Sequence, residues 1–285
     1  PPGAGKSLLA KTLVSILPPL TEQEAIEVTK IHSICGLTQK GLITARPFRA
    51  PHHTTSPVGL IGGGSFIKPG EVSLAHHGVL FLDEFTEFDR LSLESLRQPM
   101  EDRQITISRA MGSVTFPARF CLLAAANPCR CGYWGSEQQQ CCCSATQVSS
   151  YQRRLSGPIL DRIDLQLYVQ AVKTEKLAKA KLSAESSVRI SERVIQARAQ
   201  QTQRFKNTPY FTNADLSSSA VKEFFPLMNT GQKFLQQAAN NLKLSARSYF
   251  KLIKVAQTIA DLAGEDQVVV AHLAEALSYR EGRRE

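Results

Sequence analysis

The spacing of apolar positions divides the chain into an alternating strand-and-helix region and a purely helical one. Leu8, Leu9, Leu13 and Ile16 recur at helical spacing and predict a first helix over residues 8–16. Leu17-Pro18-Pro19-Leu20 breaks that pattern. Thr21 then reads as an N-cap with Glu24 three residues on, a capping box for a helix that Gly36 stops after Cys35. Residues 41–70 lose all periodicity and hold glycine and proline throughout, which predicts a long irregular insertion of the functional kind. Val79-Leu80-Phe81-Leu82 is a continuous apolar run ending in acids, the pattern of a buried parallel strand. Leu91, Leu93, Leu96 and Met100 mark a helix with Pro99 near its end. Ile105 and Ile107, then Val114 and Phe116, alternate with polar residues about a glycine-containing turn and predict a hairpin over 104–116. Phe120 to Ala126 reads as a second buried strand, and Leu165, Leu167 and Val169 as a third, alternating one. From Thr174 onward the pattern is helical only, strongest from Leu242 to Ala263, with a last helix near 267–280. The expected boundary falls between residues 173 and 174: an α/β core over 1–173 and a small all-α lid over 174–285.

Candidate chemistry gathers where the strands end. Pro1-Pro2-Gly3-Ala4-Gly5-Lys6-Ser7 reads as a phosphate-binding loop lacking its opening glycine. Gly3 and Gly5 let backbone N–H groups curl around a phosphate, and the helix N-terminus adds positive potential there. Lys6 is placed to reach β and γ phosphates, and the Ser7 hydroxyl to sit on Mg²⁺. Asp83 and Glu84 close the apolar strand at the sheet edge where ligands of open α/β sheets bind. Asp83 fits the magnesium-holding acid, and Glu84 the base that polarises an attacking water. Asn127 ends the next strand beside them, as an amide to orient that water or touch the γ-phosphate. Arg162, just before the alternating segment, is a candidate to reach a neighbouring subunit's nucleotide. The strand that would feed the loop is missing, so the chain reads as a fragment of a longer protein.

Composition adds three points. Net charge is +9 over 285 residues, which fits a polyanionic partner such as nucleic acid and, equally well on composition alone, a solvated basic surface. No apolar run approaches the roughly 18 residues a membrane-spanning helix needs. Five of the seven cysteines fall between Cys129 and Cys143. An NTPase loop implies a reducing cytoplasm, where clustered cysteines suggest metal more than disulfides. Cys129, Cys131, Cys141 and Cys143 form two Cys-x-Cys pairs able to close a tetrahedral zinc site, with Cys142 spare; reduced cysteines in an exposed loop are the alternative. His52-His53 and His76-His77 are poor metal pairs by sequence, because adjacent side chains diverge in regular structure.

In this order the residues resemble an AAA+ ATPase module. The segments Arg46 to Asp83, Asn127 to Gly135, Leu155 to Leu165 and Leu244 to Tyr249 are similar to the magnesium-chelatase-like family of such ATPases over nearly the whole chain. The resemblance implies a P-loop NTPase fold, α/β with a parallel sheet whose first strand is not in this chain, followed by a helical lid. It implies ATP and Mg²⁺ as ligands, with Gly3, Gly5, Lys6 and Ser7 as Walker A and Asp83 and Glu84 as Walker B. Asn127 would be sensor 1, Arg162 the arginine finger, with Arg153 and Arg154 also open for that role, and Arg247 sensor 2. Members form hexameric rings with ATP between subunits. The insert near 57–70 and the 104–116 hairpin would line the pore, making Lys68 and Arg109 DNA contacts and Phe66 a stacking platform. Members of this kind are implicated in ATP-driven branch migration of DNA during natural transformation. The expected protein is therefore a cytoplasmic, homo-hexameric motor on branched or single-stranded DNA, with no membrane association and no small-molecule substrate besides ATP. Its alternatives are the motor subunit of a metal chelatase, which shares fold and site, and an ATP-binding scaffold that does not hydrolyse.

Overall fold

A computed structural model describes residues 1–38, 41–64, 66–109, 112–136, 139–155, 157–170 and 185–280. The chain forms two compact units. The first holds Pro1–Arg162 with Val169–Ser183, and the second holds Ile163–Tyr168 with Ala184–Glu285. The division expected between residues 173 and 174 lies outside the described residues.

In chain order the first unit begins with α1 (Lys6–Leu13) and α2 (Glu22–Ile34), followed by β1 (Phe48–Arg49), α3 (Pro57–Ile61), β2 (Gly62–Gly63) and β3 (Lys68–Pro69). It continues with α4 (Glu71–Leu74), β4 (Val79–Leu82), α5 (Arg90–Ser95) and α6 (Arg97–Asp102). The hairpin β5 (Gln104–Arg109) and β6 (Gly112–Pro117) leads to β7 (Cys121–Ala124), then α7 (Ala145–Gln152) and α8 (Gly157–Leu160). The main sheet is parallel in the order β1-β4-β7. Every residue of the central β4 is buried, which is why its sequence is a continuous apolar run rather than an alternating one. Leu80 and Leu82 pack into the larger core with Leu60, Val72, Phe85 and Leu96. Phe81 points to the opposite face and meets Ala10 of α1 and Ala125. Fully burying each leucine contributes roughly 1.5–3 kcal/mol.

Local signals behave as their chemistry dictates. The Thr21 hydroxyl accepts from the Glu24 N–H at 3.3 Å, and the Glu24 carboxylate accepts from the Thr21 N–H at 2.9 Å, closing the capping box of α2. The β5–β6 hairpin is antiparallel from Gln104↔Pro117 to Arg109↔Gly112, and its inward Ile105, Ile107 and Phe116 are buried. Other expectations are corrected. Residues 165–169 form no strand; the Gln166 N–H instead donates to the Tyr279 carbonyl at 2.7 Å, and one such bond makes no ladder. The helix expected over 91–100 is two, α5 and α6, meeting at Leu96.

Helices are the regular elements of the second unit among its described residues. It comprises α9 (Ser187–Arg204), α10 (Ser218–Phe224), α11 (Asn229–Asn241), α12 (Ala246–Ala263) and α13 (Val270–Ser278). Its core gathers Phe205, Val221, Leu235, Leu252, Ile253 and Leu273. The long helix expected from Leu242 starts at Ala246. Lys243 takes a left-handed backbone (φ 49°), which ends α11, and Ser245 caps α12 by accepting from the Ser248 N–H at 3.2 Å. No helix among the described residues is long and apolar enough to cross a membrane.

Candidate nucleotide site

The turn before α1 is left-handed at Gly3 (φ 73°) and Gly5 (φ 77°), and Gly5 is the N-cap of α1. A Cβ added at either glycine would meet nothing within 4 Å, so the turn is uncrowded at both positions, next to the backbone N–H groups that begin the helix. That turn and those donors suit a phosphate.

Two side chains from this turn reach the carboxyl ends of two different strands. The Ser7 hydroxyl donates to the Asp83 carboxylate at 2.6 Å, just past β4. The Lys6 ammonium donates to the Asn127 side-chain oxygen at 2.7 Å, just past β7, and to the Pro1 carbonyl at 3.1 Å. β4 and β7 are parallel neighbours in register, Leu82 facing Ala124, so the residues that follow them emerge side by side. Partial burial pushes the Lys6 ammonium below its ordinary value, and the Asp83 carboxylate opposes that shift.

Glu84 is exposed and left-handed (φ 49°, ψ 45°), with its N–H donated to the preceding Asp83 carboxylate at 2.9 Å. That turn sends the two acids in different directions, Asp83 toward Ser7 and Glu84 outward. The Glu84 carboxylate lies 3.1 Å from His53 Nδ1. Sequence reasoning weighed His53 only as a metal ligand and missed this contact. The signal was present: His53 follows β1, and residues beyond the carboxyl end of a parallel strand fall at the same edge as those beyond β4.

Histidine neighbours also behave differently from expectation. The rings of His52 and His53 stand 4.1 Å apart, and those of His76 and His77 3.9 Å apart. Neither pair lies in a regular element, and His77 is left-handed (φ 55°), so the divergence expected of helix or strand does not apply. His76 and His77 converge on Glu27 at 3.1 and 2.9 Å. The Arg119 N–H donates to His76 Nδ1 at 3.0 Å, so His76 presents its Nε2–H to Glu27 as a closed hydrogen-bond set.

The remaining expected residues lie elsewhere. Arg162 is held within its own unit by Glu101 at 2.5 Å and by the Pro158 carbonyl at 2.6 Å. Arg154 pairs with Glu87 at 3.2 Å, while Arg153 is exposed. Arg247 sits in the first turn of α12, in the second unit. Lys68 is exposed in β3, Arg109 ends β5, and Phe66 is 84% exposed. These two loops are neighbours: a Cβ on Gly63, the partner of Lys68, would stand 3.7 Å from the Arg109 guanidinium.

Four thiols gather immediately after Asn127. Cys129, Cys131, Cys141 and Cys143 bring their sulfurs within 4.8 Å of one another, while Cys142 is exposed. The Tyr133 backbone N–H, chiefly, pulls the Cys131 thiol down to about 5. The Cys143 N–H also pulls on Cys141, but burial and the Cys131 and Cys129 sulfurs outweigh it and push that thiol up to about 12.

Comparison with known proteins decides the family. A profile described as "Magnesium chelatase, subunit ChlI" matches residues 1–177. The chain belongs to the magnesium chelatase ChlI family. A second profile, for the C-terminal part of the ChlI subunit, matches residues 184–280. This ChlI-family chain is 44% identical over 284 residues to the "Competence protein ComM" of Haemophilus influenzae, covering 98% of the chain and 54% of that protein. It is 42% identical over 281 residues to the "Uncharacterized protein YifB" of Salmonella typhimurium, covering 98% of the chain and 54% of that protein. A shorter match, 34% over 99 residues, covers 35% of the chain and 11% of the "DNA replication licensing factor Mcm6" of Drosophila melanogaster. The chain thus spans about half the length of the curated ComM and YifB relatives it matches.

Proposed function

We propose that this chain is the ATP-hydrolysing part of an AAA+ ring motor that moves on DNA. The observation that carries the reading is the convergence at the loop before α1. Ser7 and Lys6 reach Asp83 and Asn127, 76 and 121 residues away, at 2.6 and 2.7 Å. In this reading Gly3, Gly5 and Lys6 hold the phosphates of ATP. Ser7 and Asp83 hold Mg²⁺, which neutralises charge on the phosphate oxygens when bound. Glu84 accepts a proton from the attacking water, and Asn127 orients that water. His53 keeps the Glu84 carboxylate in place between turnovers.

The remaining cations complete the site from outside it. Arg162, oriented by Glu101 and Pro158, serves as the finger toward the nucleotide of an adjoining subunit in a homo-hexamer. Arg153 is the competing candidate, being exposed where Arg162 is engaged. Arg247 is read as sensor 2. Lys68 and Arg109, on adjacent loops, contact the DNA backbone, which needs no base readout and suits a net charge of +9. Phe66 supplies an aromatic face for stacking on an unpaired base. Similarity to a competence protein and, over a shorter span, to a DNA replication licensing factor supports DNA as the substrate over which work is done. Branch migration during transformation or recombination, in the cytoplasm, is the specific activity proposed.

The test is the ATPase rate of the intact protein with and without branched or single-stranded DNA, with strand exchange followed in parallel. Stimulation and strand movement are expected. Equal rates with no movement would remove DNA from the reading while leaving ATP hydrolysis standing.

The family description favours a second reading, the motor subunit of a metal-inserting chelatase. It uses the same nucleotide site but needs a partner subunit that carries the tetrapyrrole pocket. Insertion of Mg²⁺ into a porphyrin by the protein mixed with chelatase partner subunits would favour it. A non-hydrolysing scaffold is disfavoured by Glu84, the acid that hydrolysis requires.

A further inference from the structure

The thiol cluster has a geometry of its own. Cys129 Sγ lies 3.3 Å from Cys131 Sγ and 3.6 Å from Cys141 Sγ, and Cys131 and Cys141 are 3.4 Å apart. A disulfide needs about 2.05 Å, so none of these contacts is one. Four sulfurs at about 2.3 Å from a central zinc stand roughly 3.8 Å from one another. The observed spacings are close to that tetrahedron and far from a bond. Backbone donors aim at the sulfurs: the Trp134 N–H at Cys129, 3.3 Å, and the Cys143 N–H at Cys141, 3.4 Å. Such bonds favour thiolate over thiol, the form a metal takes. In each Cys-x-Cys arm the middle residue, Arg130 or Cys142, is exposed while its neighbours turn inward. Cys129 is fully buried.

The loop carrying these thiols is tied to the nucleotide site at three places. Cys129 follows Asn127, the partner of Lys6, by two residues. Gly132 (φ 86°) packs directly on the turn before α1, where an added Cβ would stand 2.5 Å from Pro2 Cδ and 2.6 Å from Pro2 Cγ. Beyond Cys143, Ser144 caps α7 by accepting from the Gln147 N–H at 3.3 Å. At the far end of α7 the Tyr151 hydroxyl accepts from Thr86, two residues past Glu84, at 2.5 Å. All of these residues lie in the first unit.

We propose that Cys129, Cys131, Cys141 and Cys143 bind one zinc ion, and that this ion braces the wall of the nucleotide site on which Pro2, Asn127 and Thr86 lean. The bracing rests on the reading of that site as an ATP site; the metal binding does not. With the ion in place the loop is closed by four bonds rather than by weak thiol contacts. Asn127 and the Pro2 turn then hold their positions before nucleotide arrives. Zinc here supplies rigidity and takes no part in hydrolysis.

Metal content of the intact protein, purified under reducing conditions without chelator, tests the first part. About one zinc per chain is expected, with replacement by Co²⁺ giving the visible absorption of tetrahedral cobalt thiolate. The paired change Cys129→Ser with Cys141→Ser abolishes binding, while Cys142→Ser retains it in full. Zinc below roughly a tenth of the chains in unmutated protein, or disulfides among these four by mass spectrometry, overturns the site. The second part is tested on unmutated protein, which avoids variants that fail to fold. Stripping zinc with a chelator, then removing the chelator, raises the KM for ATP about 10-fold with a smaller change in kcat, and added zinc restores it. An unchanged KM after verified zinc loss overturns the brace and leaves the zinc site standing. Absence of any ATPase activity in the zinc-loaded protein would instead strike the ATP reading, and zinc stoichiometry would be unaffected.

Discussion

Asp83, just past β4 in the first unit, and Asp261, on α12 in the second, are both acids inside polar clusters, and they do opposite work. Asp261 has no exposed side-chain surface. Its two oxygens accept from both terminal nitrogens of Arg204 at 3.1 and 2.6 Å, from Asn213 at 2.7 Å, and from Gln201 and Gln257 at 3.1 Å each. Every lone-pair direction is occupied from within the unit, so the cluster has nothing to offer a ligand. Asp83 is half-exposed and accepts from Ser7 and the Glu84 N–H, in front of an open loop. A saturated carboxylate stabilises a fold, whereas an undersaturated one at a sheet edge is available for a cation. The difference lies in partner count and burial rather than in residue type.

The largest effect expected from breaking this contrast is on turnover. Glu84→Gln should lower the ATPase rate by roughly 10²–10⁴-fold while ATP still binds and the thermal midpoint stays put. Unchanged turnover would strip Glu84 of its role as base. The converse change, Asp261→Ala, should cost about 3–5 kcal/mol of unfolding free energy, because the Arg204 guanidinium and three amides lose their acceptor together. Chemical denaturation of the second unit measures it; a loss under about 1 kcal/mol would mean the cluster is far less saturated than its distances say.

The Glu27–His76–His77 set is a second closed cluster and predicts a pH dependence. Burial, then the neighbouring His77, holds His76 down to about 4 from 6.5. Burial would raise Glu27, but hydrogen bonds from Gln23, His77 and His76 outweigh it and bring the carboxyl down to about 2 from 4.5. Both groups bind protons more readily in the unfolded chain. The stability due to neutral His76 is therefore complete above 6.5 and lost as pH falls toward 4, and that due to ionised Glu27 is lost between 4.5 and 2. The thermal midpoint should drop by roughly 5 °C between pH 7 and pH 5, with a shallower slope in His76→Gln. A flat profile in the unmutated protein contradicts the closed set.

The smallest effect sharpens the open cluster. His53→Ala removes one contact to an exposed carboxylate, worth about 1 kcal/mol, and should lower kcat roughly five-fold with KM for ATP unchanged. A rise in KM alone would place His53 on the nucleotide instead of on Glu84.

Much of the candidate site was legible because its signals are local. Glycine before Lys6-Ser7, an apolar run closed by Asp83-Glu84, and Asn127 after the next run each announce a strand end or helix start by residue type. The Thr21–Glu24 capping box and the Ile105/Ile107 alternation were legible for the same reason. The misses share a different cause. Lys243 and His77 adopt left-handed backbones without being glycine, so the start of α12 and the close approach of the His76 and His77 rings had no composition signal. The contact of His53 with Glu84 and the engagement of Arg162 by Glu101 join residues whose separation in sequence carries no periodicity.

By itself the sequence determined most of the segments that become strands and helices and the residue types at their ends, but not the fate of residues 165–169, the break at Leu96 or the start of α12. Those properties follow from side-chain period, capping and backbone preference over a few neighbouring residues. Only the tertiary structure decided which ends meet: Ser7 with Asp83, Lys6 with Asn127, Gly132 with Pro2, four thiols at one point. Such meetings depend on strand order, register and packing, which are settled by the burial of the whole sheet and not by any residue's near neighbours.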